Sequence, residues 1–416
     1  MRKMKDSGVS WVGSMPEHWE IVNPKSLFSL RKDKAIPGQR RLTASQQYGV
    51  IYQDEYMMRT GSKVVVVEKD FDILKQVKSG DFVISMRSFQ GGIEYSTYDG
   101  SISSAYIMLI PDGKKVHHAF YKWLLKSSGY ISALQSTSNL IRDGQAMRYS
   151  NFAKVPLPSL PMKEQQAIAN FLDSKCAEID ALMEDIRAEI STLEEYKKSV
   201  IMEAVTKGLN PDAEMKDSGV AWVGKCPMHW KAKKLKYTVT YRAESALFSP
   251  DKDTYIGLEN LVGWSNNVIS SDTQYEQSIY SVCRKGDVMY NKLRPNLGKA
   301  IIAPYDAFCT GELMIFSSFT GDKRFLRYWL INPILVNEVT MSTYGAKMPR
   351  ANPDFIYNLP ILIPSTTEQK AIADYLDAKC AEIDSTISDK QVQLAVLEEY
   401  KKSIIYEYVT GKKEVP

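Results

Sequence analysis

Cysteine, histidine and long apolar runs are scarce in this sequence, and each scarcity removes a class of function. The five cysteines (Cys176, Cys226, Cys283, Cys309, Cys380) form no Cys-x-x-Cys pair, so neither a zinc ribbon nor a disulfide framework is expected. Cys176 and Cys380 occupy matching places in a repeated stretch, where a small buried hydrophobe is the expected role. Of the four histidines, His18 and His229 share a Pro-x-His-Trp string and His117 and His118 are neighbours. That is a poor inventory for a metal, and no metal site is expected. No apolar run approaches the roughly 18 residues that span a bilayer, and residues 1–5 lead into no apolar signal segment. The expected location is therefore the cytoplasm, with no membrane partner. GxGxxG, GxxxxGK[ST] and Asn/Asp-Pro-Pro-Tyr are all missing, so nucleotide and S-adenosylmethionine chemistry have no visible home in this chain.

Glycine and proline are absent from two long stretches, and these organise the rest. Residues 164–206 and 368–410 are two copies of one polar helix at a constant shift of 204. Both open with Glu-Gln-x-x-Ile-Ala, contain Lys-Cys-Ala-Glu-Ile-Asp (175–180; 379–384) and close on Leu-Glu-Glu-Tyr-Lys-Lys-Ser (193–199; 397–403). In the first copy Leu172, Ile179, Ile186, Leu193 and Val200 recur every seven residues. Leu182 and Tyr196, three further on in their heptads, extend this to a partial a/d seam. The second keeps Leu376, Ile383, Leu397 and Ile404 but sets Lys390 on the seam and moves Ile387 and Leu394 aside. An imperfect antiparallel coiled coil is expected; a helix of about 40 residues spans roughly 60 Å and can act as a ruler. The alternative, a core helix in a compact domain, does not explain duplication of the whole helix.

Net charge is +4, and its signs separate along the chain. Residues 20–160 hold 19 Lys/Arg against 12 Asp/Glu and residues 231–364 hold 16 against 12, whereas residues 161–207 hold 6 against 10 and residues 365–410 hold 5 against 9. Two basic modules on acidic helices suit a polyanion held by the modules and repelled by the helices.

A string ahead of each module is also duplicated. Met4–Gly13 (MKDSGVSWVG) with Pro16, His18 and Trp19 returns as Met215–Gly224 (MKDSGVAWVG) with Pro227, His229 and Trp230. Gly, Pro and Trp at fixed spacing predict a turn with buried aromatic anchors, with base reading as the lesser alternative. Between string and helix, β-like runs are expected at 64–67, 82–85, 106–110, 255–258, 288–290 and 313–316, and helices around 119–134 and 324–339. The fold class is α+β: two mixed modules separated by two long helices. The boundaries are 1–160, 161–210, 211–364 and 365–416. Gly80-Asp81-Phe82-Val83 with Gly92 parallels Gly286-Asp287-Val288-Met289 with Gly298, while identity elsewhere between the modules is low. Prolines 156, 158 and 161, and 360 and 364, precede the helices, and Ser365 with Glu368 forms a capping box. Joining the chain's end to Met1 would recreate the central junction at 205–215. The repeat is therefore circular, with termini expected close together and an approximate two-fold axis.

The Glu-Gln-x-x-Ile-Ala-x-x-Leu-Asp openings (Glu164, Gln165, Ile168, Ala169, Leu172, Asp173; Glu368, Gln369, Ile372, Ala373, Leu376, Asp377) follow proline-rich exits. With the Trp-x-Gly and Pro-x-His-Trp strings in the same order twice, nearly the whole chain resembles the specificity (S) subunit of type I restriction-modification systems. The resemblance implies two target recognition domains, each reading half of a split duplex DNA sequence. It also implies helices that dock two modification (methyltransferase) subunits, with restriction (ATP-dependent translocase/nuclease) subunits joining. S-adenosylmethionine, ATP and Mg would then belong to those partners, and this chain would carry no catalytic residue. Because the modules diverge, the half-sites should differ.

Phosphate contacts need lysine or arginine in number, and base contacts need forked side chains on loops that approach the duplex. The first module offers Lys34, Arg40 and Arg41, then Arg87 and Gln90, then Arg142, Gln145 and Arg148. The second offers Lys292, Arg294 and Lys299, then Lys347 and Arg350. Gln46, Gln47, Asn291 and Asn296 are further candidates for adenine. A solvated surface charge is the plain alternative for each. A nuclease reading has Pro353-Asp354 with Asp377-Ala378-Lys379 as a loose PD…DxK pattern, but two of its members fall in the long helix and the first copy has Asn151 in place of Asp354. A pure coiled-coil adaptor would not explain the basic surplus of both modules.

Overall fold

The computed structural model describes residues 2–62, 73–85, 93–137, 148–345 and 347–416. The chain divides into two compact units, Met1–Ile186 with Val392–Pro416, and Arg187–Gln391. The long helices are the continuous elements Met162–Lys207 and Thr366–Val409. Each unit thus contains one module, the first half of one long helix and the second half of the other.

The units are built alike. In the first, a hairpin pairs Met4–Asp6 with Ser14–Pro16. An antiparallel sheet follows in the order Phe28–Leu30, Tyr106–Pro111, Phe82–Ser85, Glu94–Tyr95. The exit strand Leu157–Ser159 pairs back with Glu20–Val22. In the second unit the corresponding hairpin is Met215–Asp217 with Lys225–Pro227. Its sheet runs Val239–Tyr241, Leu313–Phe319, Val288–Asn291, Ala300–Ile302, and Pro360–Ile363 pairs back with Lys231–Lys234. The second unit adds a sheet of Ser245–Leu247, Ile279–Cys283, Ala307–Cys309 and Tyr255–Ile256. The first has two small two-stranded sheets instead, Leu42–Ser45 with Gly49–Tyr52 and Lys75–Val77 with Gly100–Ile102. The expected strands at 82–85, 106–110, 288–290 and 313–316 are present. That at 255–258 is shorter, Tyr255–Ile256 running into a 3-10 turn at Leu258–Asn260. The run at 64–67 lies outside the described residues.

Each expected module helix is two helices. His118–Leu125 and Ser128–Gln135 are separated at Ser127, whose backbone is extended. Lys323–Leu330 and Pro333–Met341 are separated because Pro333 cannot donate into the preceding turn, while Asn332 Oδ1 accepts from the N–H groups of Ile334 and Leu335. The proposed capping box is half formed. Ser365 Oγ accepts from Glu368 N at 3.2 Å, but the Glu368 side chain turns to Trp230 instead.

The duplicated strings are anchors. Trp19 and Trp230 are fully buried, and their indole N–H groups donate to Glu164 at 3.1 Å and Glu368 at 3.0 Å. His18 and His229 contact the same two carboxylates at 2.9 Å. The next residue of each helix is a buried glutamine. Gln165 accepts from His117 N and donates to the carbonyls of Lys115 and Leu160. Gln369 accepts from Asp322 N and donates to Pro364 O. Each helix start is thereby stitched to its own module, which explains why Glu-Gln and His-Trp recur together.

Along the helices the expected seam needs a correction of one residue. Leu182 and Tyr196 are exposed, whereas Cys176, Met183 and Lys197 are buried with Leu172, Ile179, Ile186 and Val200. The inner positions therefore alternate in steps of four and three, and Ile387, Lys390 and Leu394 fall on the same pattern in the second helix. The segments run antiparallel within each unit. In the first, Phe171 meets Tyr408 with ring centroids 4.4 Å apart, and Asp180 pairs with Lys401 at 2.6 Å. In the second, Glu189 pairs with Lys390, and Lys197 bonds both oxygens of Asp384 at 2.7 Å. Asp180 and Asp384, like Lys197 and Lys401, are repeat equivalents, so the duplicated motifs make the same ion pair twice, with the lysine buried in the second unit. Burial raises the Cys176 thiol to about 11, and all five cysteines are free and buried.

The chain's two ends meet inside the first unit. Lys412 Nζ donates to Val12 O at 2.5 Å, and a Cβ on Gly411 would lie 2.5 Å from Pro16 Cδ. In the second unit Gly208 sits against Trp230 and Pro227 in the same way, and both glycines are left-handed, ending their helices as only glycine does without strain. A circular permutant closed from residue 416 to residue 1 and opened at Asn210 is expected to fold to the parent's circular dichroism spectrum and melting temperature. An unfolded permutant would count against this equivalence.

Candidate nucleic-acid interface

In the second unit two basic loops far apart in sequence share one edge. Arg294 N donates to Pro349 O at 2.7 Å, Ala351 N donates to Lys292 O at 3.0 Å, and Leu293 bridges Arg350. Lys292, Arg294, Lys347 and Arg350 thereby converge from the 292–299 and 344–350 segments. Arg294 and Lys347 are exposed and form no ion pair among the described residues. Arg350 pairs with Glu312. Lys292 is half-buried, and that burial lowers its pKa. Lys299 turns inward to donate to Leu258 O at 2.7 Å and supports the loop from behind. Asn291 is buried, and both ends of its amide bond the Leu293 backbone, so it shapes the turn and has nothing left for a base; Asn296 is exposed.

At the start of the strand that leads to these loops lies an ion pair common to both units. Arg242 Nε and Nη2 bond Asp287 at 2.6 and 3.1 Å, and Arg31 bonds Asp81 at 2.6 and 2.9 Å. Both aspartates are buried. The repeated Gly-Asp motif is therefore a carboxylate that fixes the start of the central strand.

The first unit's candidates are more dispersed. Arg40 pairs with Asp54 at 2.8 Å and Glu55 at 3.2 Å and lies 3.5 Å over the Tyr52 ring. Asp54 raises its pKa further. Arg41 is half-buried, and its carbonyl accepts from Gln53 N. Lys34 bridges Lys75 and lines a basic hollow of about 570 Å³ with Arg31, Lys32, Lys75 and Tyr149. Gln46 and Gln47 are exposed at the turn between Leu42–Ser45 and Gly49–Tyr52. Arg148 is exposed at the start of the Tyr149–Phe152 helix, its backbone N–H donating to Asn151. Arg87, Gln90, Arg142 and Gln145 lie outside the described residues.

A further cationic feature lies outside the loops named from the sequence. Lys231, Lys233 and Lys234 are exposed on one strand, with Lys236 on the adjoining turn beside Tyr237. None of these lysines forms an ion pair among the described residues, and the matching first-unit strand is Glu20–Val22.

Two members of the nuclease pattern are engaged in other contacts. Asp377 accepts from Tyr328 OH and from Arg324 at 2.8 Å each, and Lys379 pairs with Glu382 on the outside of its helix. Among the described residues no group of three or more His, Cys, Asp or Glu could hold a metal, and no helix is long and apolar enough to cross a membrane.

The scaffold is duplicated while the basic side chains it carries differ between the units, and comparison with known proteins shows the family. The pattern described as the type I restriction modification DNA specificity domain matches residues 16–192 and 250–393. The chain belongs to that family, whose specificity subunits recognise DNA and are not catalysts. Over 96% of its length it is 25% identical to the type I restriction enzyme MjaVIII specificity subunit of Methanocaldococcus jannaschii, covering 94% of that protein. It is 20% identical to the EcoDI specificity subunit of Escherichia coli over 77% of this chain and 76% of that one. A solved chain from work on complex assembly and conformational transition of the type I R-M system has the same fold. Its TM-score is 0.62 at 15% identity, over 96% of this chain and 99% of that one.

Proposed function

We propose that this chain reads a bipartite, asymmetric duplex sequence, one half with each module, and leaves all chemistry to other subunits. The carrying observation is the union of the 292–299 and 344–350 loops into one cationic edge, on a scaffold that recurs in the first unit with different loops. Residues 1–160 and 211–364 are the readers, and 161–210 and 365–416 are the spacer. Half-sites on one face of a duplex lie about one turn, roughly 34 Å, apart. Lys34, Arg40, Arg41, Arg87, Gln90, Arg142, Gln145 and Arg148 serve the first half; Lys292, Arg294, Lys347 and Arg350 serve the second, with Lys299 as a support.

Two modification subunits using S-adenosylmethionine dock on the helices, and restriction subunits using ATP and Mg²⁺ complete the complex in the cytoplasm. Exposed apolar side chains on the helices support this: Val392, Val396 and Tyr400 form an i, i+4, i+8 row, and Tyr196 is the repeat equivalent of Tyr400.

Purified protein should shift duplex DNA with strong salt dependence, and Mg²⁺ should produce no cleavage. Changing Lys231, Lys233, Lys234 and Lys236 together to glutamine is expected to lower the log–log salt slope by about 0.9 for each phosphate no longer neutralised, without changing the preferred sequence. Salt-independent binding, or cleavage by this chain alone, would end the proposal.

A further inference from the structure

Among the described residues only Trp264 and Arg294 are non-glycine residues with left-handed backbones, at φ 58° and 53°. The two are linked through a single turn. Arg294 opens the 3-10 turn Pro295–Leu297, which closes at Gly298, and Gly298 O accepts from Trp264 N at 2.9 Å. The Trp264 ring covers Gly298 so closely that a Cβ there would lie 2.5 Å from Cε2 of the indole. Gly263 crosses Leu297 O just as tightly, leaving no room for a side chain. On its outer side the ring has Lys198 Nζ of the first long helix at 5.2 Å from its centroid. It also borders a cavity of about 380 Å³ that Ile387 and Ser388 of the second long helix help to line.

Left-handed, β-carbon-bearing residues persist only where their surroundings over-determine them, and such strain concentrates at functional positions. Here the strained pair joins the helices to the exposed arginine at the tip of the basic edge. Resting on the DNA-reading proposal above, we infer that Trp264 is a positioning residue for second-half recognition. It clamps the Arg294–Gly298 turn against the helix pair, so that the Arg294 guanidinium meets base edges in a fixed orientation. Trp264 itself touches no base. Forked arginine contacts discriminate only when held in register, and an unclamped turn would spend its cation on any nearby phosphate.

The test uses the full chain assembled with its modification subunits, in methylation competition between the intact target and duplexes altered at one base pair in either half. Trp264→Gly relaxes the backbone but removes the ring. It is expected to lower discrimination at second-half positions about tenfold, a typical loss for one base contact, and to leave first-half discrimination unchanged. Trp264→Phe, which keeps a ring over Gly298, should retain most of it. Each value is a ratio between duplexes in one tube, so a change in the amount of folded complex does not move it. Unchanged discrimination in Trp264→Gly, or an equal loss in both halves, would overturn the inference. If the unaltered complex discriminates at neither half, the DNA-reading proposal fails instead, and the two failures are told apart.

Discussion

Replacing Trp230 with alanine is expected to cost the second unit about 3–5 kcal/mol, the range for deleting a large buried aromatic side chain. The indole has no exposed surface, donates to Glu368 and packs on Gly208, so its loss opens a cavity and leaves that carboxylate short of a donor at once. Trp19→Ala should behave alike in the first unit, where the indole donates to Glu164 and packs near Gly411. Chemical denaturation of each variant reads the effect, and a cost below about 1 kcal/mol, a surface-like value, would show that these strings are not the anchors described.

The second large effect is at Asp287. This carboxylate is buried and accepts from the Arg242 side chain and from Arg284 N. Breaking a buried pair by removing one partner costs about 3–5 kcal/mol, and because Arg242 keeps some contact with water, the lower end is expected for Asp287→Ala. Asp287 begins the strand that delivers Lys292 and Arg294, so the loss should reach function as weakened second-half recognition. Asp287→Asn, which keeps the shape and some of the hydrogen bonds, should fall between. An alanine variant as stable as the parent would show that the repeated Gly-Asp motif serves something other than strand anchoring.

Much of this architecture was legible because it is written twice. A constant shift of 204 and the paired opening strings gave two long helices, two modules and a circular order. What the repeats do was not legible, since an indole and the carboxylate that receives it lie 145 residues apart. The seam lies one residue beyond Leu182 and Tyr196, at Met183 and Lys197, because apolar identity alone does not fix which side of the helix is inward. Hydrophobic periodicity does not show that a lysine can occupy an inner position, as Lys197 does with Asp384 to neutralise it. Pro333 divides the 324–339 helix, a break that is encoded in the sequence itself. At the interface, the 292–299 and 344–350 loops were both found, but main-chain bonds join them and no side-chain pattern announces such bonds. Lys299 and Asn291 look in sequence like Arg294 and Asn296. Only burial separates the residues that shape the loop from those that are presented on it.

The central claim is that each module reads its own half of the target. Mapping DNA methylation in cells carrying this chain with its modification subunits, and again with Arg294 and Arg350 both changed to alanine, tests it most directly. The account expects two unlike half-sites across an unread gap with the parent chain. With the variant it expects relaxed or lost specificity in one half and an unchanged sequence in the other. A continuous or perfectly palindromic target, or a variant that alters both halves together, would contradict it.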